Sequence, residues 1–258
     1  MKELEVAVEA AEAAGRMLRN SFGRRLDVGY KGEADLVTEA DKNAEQKIKE
    51  ILEEQFPAYG MLTEEGGEFP GEGDARWIVD PLDGTTNYVH GVPFFSTSIA
   101  LEKDGVVVLG VVHDPIANET YAAERGDGAT LNGESIGVSH TDEPARALLG
   151  TSYPDDPEEI STGLDLFEKY TDLARGMRRL GSGALDLCYV AAGRLDGCYE
   201  QGFSAWDVAA GALIVEEAGG EATNYRGGEL GFEDKGLVAS NGSLHPLLID
   251  VASASRGI

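Results

Sequence analysis

The chain has 258 residues, 42% of them hydrophobic, and carries 47 Asp and Glu against 21 Lys and Arg, a formal net charge of −26. That apolar content fills a large core in one domain or two closely packed ones, and no run of about 18 apolar residues exists to span a bilayer. So acidic a surface argues against nucleic acid or an anionic membrane as partner, since both require a positive face.

The bases are mostly Arg, and the acids are spread along the whole chain, so they coat a folded surface. That pattern suits a halophilic cytoplasm, where high ionic strength screens the repulsion; an acidic protein of an ordinary cytoplasm is the plainer alternative. Met1–Glu5 lacks the basic and apolar regions of a signal peptide, so a cytoplasmic location is expected.

In chain order, Ala7, Ala11, Ala14 and Leu18 recur at helical spacing and predict an amphipathic helix over 3–22. A second helix is expected over about 38–55, with Ala44, Ile48, Ile51 and Leu52 inward, Thr38 as N-cap and Asp41 three residues on in a capping-box variant. A polar glycine-rich loop over 66–73 precedes a short buried strand, Trp77-Ile78-Val79, that ends at Asp80. Over 96–138 the period becomes two, and Asp104-Gly105 and Asn132-Gly133 are type I′ hairpin signals of an antiparallel meander. Beyond about 140 strands are expected near 147–151, 196–200 and 237–240, and helices near 158–175, 183–193, 206–218 and 243–254. The expected fold is a layered α/β sandwich, with an α+β half over 1–139, an α/β half over 140–258 and the site between them. Cys188 and Cys198 flank a helix-to-strand step among apolar neighbours. A disulfide is compatible with that spacing, but a reducing cytoplasm favours two free buried thiols.

The chemistry concentrates in Asp80-Pro81-Leu82-Asp83-Gly84-Thr85-Thr86-Asn87. Carboxylates three residues apart at a strand end can converge on one cation, with the Leu82 carbonyl as a further hard oxygen suited to Mg²⁺ or Mn²⁺. Gly84 lets backbone approach a phosphate, and Thr85 opens a short helical turn whose amides attract an anion. A plain Asp-Pro-Gly turn is the competing reading. Asp207, in Trp206-Asp207-Val208-Ala209-Ala210-Gly211, reads equally as a helix-dipole partner. Glu64 and Glu65 before Gly66 read equally as solvated surface, and Asp41 as a capping acid. His90, His113, His140 and His245 are scattered, and no Cys or His nucleophile has a suitable partner.

Taken together, Asp80–Asn87, the WDVAAG segment and DLVTEAD (Asp35–Asp41) resemble the inositol monophosphatase family of Mg²⁺-dependent, lithium-sensitive phosphatases, in order and approximate spacing from Lys31 to Gly220. The resemblance implies one Mg²⁺ held by Glu64, Asp80 and the Leu82 carbonyl, a second by Asp80, Asp83 and Asp207, and a third, loosely held ion facing Glu64. Glu64 and Thr85, with Asp41 behind Thr85, would orient the attacking water. It implies substrate contacts from Gly84, Thr85, Ser182, Gly183, Glu200 and Arg178, with Glu200 accepting from vicinal hydroxyls. Glu200 and Arg178 also read as surface residues, and Arg178 or Arg179 as dimer contacts. Lys31 corresponds to a lysine near the phosphate, though one residue closer to Asp41 than the family's spacing.

The expected activity is hydrolysis of inositol monophosphate or a related sugar phosphate by a cytoplasmic homodimer. Fructose 1,6-bisphosphate is the alternative substrate, alone or as a dual activity. A nucleotide phosphatase of the sulfur-assimilation branch fits less well, because Thr86–Gly91 follows the inositol-phosphatase form of the motif. From a different class, a non-catalytic polyol-phosphate-binding protein is the remote alternative.

Overall fold

The computed structural model describes residues 2–23, 28–30, 36–152 and 157–254. Helix α1 (Lys2–Ser21) buries Ala7, Ala10, Ala11, Ala14 and Leu18. A short antiparallel pair, β1 (Val28–Tyr30) and β2 (Leu36–Thr38), leads into α2 (Glu39–Gln55), which buries Asp41, Ala44, Ile48 and Leu52. The expected N-cap at Thr38 depends on a side chain outside the described residues.

Strands β3 (Gly60–Thr63), β4 (Gly67–Phe69) and β5 (Ala75–Asp83) come next, then a short helix, α3 (Thr85–His90). The 66–73 segment is thus not all loop, and β5 is a nine-residue strand that runs past Asp80 rather than ending there. Pro81 is accommodated because pairing with the next strand breaks register between Asp80 and Asp83. The meander follows as β6 (Ser96–Lys103), β7 (Val106–Asp114), β8 (Glu119–Glu124), β9 (Gly128–Leu131) and β10 (Glu134–Ser135). Its two expected tight turns have both central residues in the left-handed region: Asp104 and Gly105 at φ 51° and 76°, Asn132 and Gly133 at 51° and 82°.

The second half comprises β11 (Leu148–Ser152), α4 (Pro157–Leu173), β12 (Gly176–Arg178), α5 (Gly183–Ala191), β13 (Gly197–Gln201), α6 (Ala205–Glu217), β14 (Glu221–Asn224), β15 (Gly236–Ser240) and α7 (His245–Ser253). Of these, β12 and β14 carry no clear periodicity: each is a short edge strand. Apart from the β1–β2 pair, the described strands form an eight-stranded sheet, ordered β10-β9-β8-β7-β6-β5-β3-β4, and a five-stranded one, ordered β12-β11-β13-β15-β14.

Strand alternation sorts the core into layers. Trp77 and Val79 of β5 face α1 and α2, whereas Ile78 faces α5 and α6. Leu237 and Ala239 of β15 meet that same middle helical layer, and Val238 packs with α4 and α7. The result is helices, sheet, helices, sheet, helices. Lying between two sheets, α6 is apolar almost all round, burying Val208 to Val215 without a break. Each buried Leu or Ile contributes about 1.5–3 kcal/mol. Both cysteines are free and buried, and burial pushes both thiols upward. No helix among the described residues is long and apolar enough to cross a membrane.

Candidate active site

Parallel pairing of β3 with β5 sets Thr63 beside Val79, so Glu64, just past the end of β3, stands beside Asp80, which continues in β5. The Glu64 amide donates to the Val79 carbonyl at 3.2 Å, and Glu64 also hydrogen-bonds Asp80. Behind this turn, Glu45 on α2 accepts from the amides of Glu65 and Gly66 at 3.0 and 3.3 Å. Asp41, one helical turn earlier on the same face, is fully buried. It accepts from the Thr85 hydroxyl at 3.2 Å, and that hydroxyl also lies 3.0 Å from the Leu82 carbonyl. The Leu82 carbonyl is therefore not wholly free, although one lone pair remains.

Asp80 is 2% exposed, and its Oδ1 accepts from the Leu82 amide at 2.9 Å. Burial pushes its carboxyl well above the usual range, and the charges of Glu64, Asp83 and Asp207 push the same way. Burial likewise raises Asp83 to about 6, although the Ser182 hydroxyl and the amides of Ala184 and Gly183 pull against it. Asp207 arrives on α6, whose start is pinned to β6 where the Ser98 hydroxyl donates to the Trp206 carbonyl at 3.1 Å. There the Ser204 amide donates to Asp207 Oδ2 at 2.6 Å. The capping role and proximity to Asp80 are thus combined in one side chain.

The two halves are stitched together at this point. Asn87 donates to the carbonyls of Phe94 and Leu180, both at 2.8 Å. Asp83 Oδ2 accepts from the Ser182 hydroxyl and, at 2.9 Å, from the Ala184 amide. Gly84 has φ 92°, and a Cβ there would lie 2.9 Å from the Gly181 carbonyl, so the close approach needs glycine.

Beside the acids is a cavity of about 190 Å³ lined by Asp83, Ser152, Gly183, Glu200, Gly202 and Asp207, among others. That is below the roughly 300–1,000 Å³ of most small-molecule sites, so it accepts only part of a ligand. Glu200 lies at its back, 2% exposed. Burial lifts its carboxyl to about 8, against the opposing Ser152 hydroxyl.

Ser182 and Arg178 have different placements from those expected. Ser182 is 1% exposed and lies under Asp83, to which its hydroxyl donates, within 3.3 Å of the Ser96 hydroxyl. Arg178 is exposed on edge strand β12 and donates to the Met177 carbonyl; it is Arg179 whose charge reaches Glu200. Lys31 lies outside the described residues. Of the histidines, His113 and His245 are buried against hydroxyls of Thr120, Thr223 and Ser240. Glu45, Ser96 and Ser152 are contributors that no local pattern singles out.

The acids are gathered but not closed: among the described residues no three His, Cys, Asp or Glu side chains already form a metal cage. The donor set nevertheless fits a hard divalent cation. It consists of buried carboxylates and a carbonyl, and each charged neighbour acting on Asp80 is itself an acid. A cation there would offset the burial and repulsion that raise Asp80 and Asp83.

A model of the inositol monophosphatase family matches residues 2–256. An inositol-1-monophosphatase of Rhizobium meliloti is 44% identical over 257 residues, covering 96% of this chain and 95% of its own. A Nus factor SuhB of Pseudomonas aeruginosa is 42% identical, over 92% of this chain and 91% of its own. Among solved structures, the extragenic suppressor protein suhB of Bartonella henselae is similar, with a TM-score of 0.95 at 42% identity and 100% of both chains covered.

Proposed function

The chain belongs to the inositol monophosphatase family and is a phosphoric monoester hydrolase, and from that premise we propose that it is a Mg²⁺-dependent phosphatase of inositol monophosphate or a related polyol phosphate. The observation that carries the reading is the convergence of Glu64, Asp83 and Asp207 on buried Asp80, beside a cavity backed by Glu200.

Glu64, Asp80 and the Leu82 carbonyl would hold one ion, and Asp80, Asp83 and Asp207 another. When bound, Mg²⁺ neutralises these acids and the phosphate and acidifies coordinated water. The protein's own part is positioning. Asp41 accepts the Thr85 proton, which leaves the Thr85 oxygen free to accept from a water aligned with the phosphorus, and Glu64 orients the same water from the other side. Ser182 and the Ala184 amide fix Asp83, so its charge is aimed before substrate arrives. Glu200 accepts from vicinal hydroxyls, placing the ring in the small cavity and the phosphate over the acids.

Fructose 1,6-bisphosphate remains the competing substrate for one reason. Gln201 lines both this cavity and a neighbouring one of about 360 Å³, room for a second phosphate, with Arg226 and Lys235 in its lining offset by Glu233 and Asp234. The surface charge of −26 supports a cytoplasm of high ionic strength as the working medium.

The test is phosphate release with and without Mg²⁺, comparing kcat/KM for inositol 1-phosphate, fructose 1,6-bisphosphate, an adenosine bisphosphate and an aryl phosphate. Glu200→Gln should impair inositol phosphate hydrolysis while sparing the aryl phosphate, which has no vicinal hydroxyls. Metal-independent turnover, or preference for the adenosine bisphosphate, would defeat the assignment.

A further inference from the structure

Beneath the small cavity lies an acid for which the proposed reaction has no use. Asp186 is on α5, one turn beyond Gly183, and is wholly buried, with neither carboxyl oxygen hydrogen-bonded. It is accommodated where β11 has no side chain: a Cβ on Gly150 would lie 3.4 Å from Asp186 Cγ and 2.8 Å from Leu195. The charged groups acting on Asp186 are Glu200 and Asp83, both acids. An ionised carboxylate so placed would cost several kcal/mol.

Glu200 presents the complementary half of the puzzle. Its Oε2 turns towards Gly183, where a Cβ would stand 3.2 Å away, whereas Oε1 is buried with no hydrogen-bond partner. Gly150 pairs with Cys198 and Ser152 with Glu200 along β11 and β13, and α5 packs over both strands. The two carboxyls therefore lie in the same layer under the start of α5, near enough for the Glu200 charge to act on Asp186 but with no hydrogen bond between them. Two anions there repel, but one neutral acid beside one carboxylate makes a donor–acceptor pair and leaves no orphan oxygen on the Glu200 side. Asp186 is the better holder of the shared proton, because Glu200 has the Ser152 hydroxyl to support its charge and lines the cavity.

We propose that Asp186 is a positioning residue, a neutral acid whose O–H donates to Glu200 Oε1 and so fixes Oε2 to accept from the substrate's hydroxyls. The inference rests on the reading of Glu200 given above. It adds a residue to polyol recognition that touches neither substrate nor metal.

The test uses the intact enzyme with Mg²⁺ and compares wild type, Asp186→Asn, Asp186→Leu, Glu200→Gln and the Asp186→Leu/Glu200→Gln pair, on inositol 1-phosphate and an aryl phosphate. An asparagine amide keeps a donor in the same place; leucine keeps volume without one. Losing a hydrogen bond to a charged group should raise KM for inositol 1-phosphate roughly tenfold in Asp186→Leu and leave the aryl phosphate within about twofold. Asp186→Asn should stay near wild type on both substrates. The double variant should add nothing to Glu200→Gln, because both changes remove the same recognition. An infrared difference spectrum of wild type minus Asp186→Asn at about pH 7 should contain the C=O stretch of a protonated carboxylic acid, a readout that survives even if the leucine variant fails to fold.

Equal loss on both substrates would make Asp186 a structural residue and overturn the proposal. Asparagine as damaging as leucine would overturn it in favour of an ionised acid binding a cation, and absence of the infrared band would overturn it directly. If Glu200→Gln discriminates between the substrates while Asp186→Leu matches wild type, the Glu200 reading stands and this inference falls. If Glu200→Gln does not discriminate, both fall together.

Discussion

Asp80→Asn is expected to stabilise the metal-free protein while abolishing its response to Mg²⁺. The substitution keeps the oxygen that accepts from the Leu82 amide and removes one charge from a group flanked by Glu64, Asp83 and Asp207. Asp83 sets the scale. It is held at about 6 against an ordinary 3.8, and at about 1.4 kcal/mol per pH unit its ionisation costs about 3 kcal/mol more in the fold than in the unfolded chain. Asp80, 2% exposed and without the serine hydroxyl that supports Asp83, is raised in the same direction by burial and by the charges of Glu64, Asp83 and Asp207. Removing the Asp80 charge should therefore raise the Tm of the metal-free protein near pH 8, where each 1 kcal/mol gained corresponds to roughly 2–4 °C for a chain of this size.

The pH dependence follows from the direction of these shifts. Both acids have folded values above their unfolded ones, so in between the folded state keeps protons that the unfolded chain has released. The penalty is absent below about pH 4, grows as pH rises and is complete above the folded values. Metal-free wild type should therefore lose Tm from about pH 5 to about pH 8, and Asp80→Asn should lose less. Mg²⁺ at about 100 times its Kd should restore about 2.7 kcal/mol to wild type at the higher pH and little to the variant. The assay is calorimetric melting in chelator and in Mg²⁺ at both pH values. The reasoning is refuted if the variant melts below wild type in chelator at the higher pH, or keeps the full Mg²⁺ shift.

In activity, Asp80→Asn should cost far more than Glu65→Gln, since Asp80 is assigned to both ions and Glu65 to none; comparable losses would mean the ligand set is wrong. Thr85→Val should lower kcat by about 10²-fold while Thr85→Ser stays near wild type, and equal effects would remove the hydroxyl from the mechanism. Gly84→Ala should destabilise by about 1–3 kcal/mol, because Gly84 has φ 92° and a Cβ would press on the Gly181 carbonyl; a melt unchanged from wild type would show that the joint between the halves is loose. Raising KCl from about 0.1 M to about 1 M shortens the screening length from roughly 10 Å to roughly 3 Å, so Tm and activity should both rise. A flat or falling Tm would defeat the high-salt reading, and an equal rise in an uncharged osmolyte would assign the effect to solvent exclusion.

What could be read beforehand was whatever lay in consecutive residues. The long helices, the two I′ turns and the Asp80–Asn87 segment announce themselves because periodicity, turn chemistry and motif are all local. β5 is longer than its local pattern implies because Pro81 breaks a strand unless register shifts around it, and the shift depends on Ser96 and Ser98 across the sheet. Glu45 shows the same limit within one helix. It is four residues from Asp41 and shares its face, but only the position of the Glu64 turn, set by the β3–β5 pairing, gives that face its purpose.

The arginine pair makes the argument sharpest. Arg178 and Arg179 are equivalent by composition, and nothing in Arg-Arg-Leu-Gly-Ser says whose charge reaches Glu200. β12 ends at Arg178, which stands beside Gly150 of β11, and Arg179 follows just outside the strand. That same Gly150 leaves the space into which Asp186 fits. One small residue on β11 therefore takes part in both the pairing that holds Arg178 at the sheet edge and the burial of the acid near Glu200, and neither consequence is visible until the strands are paired.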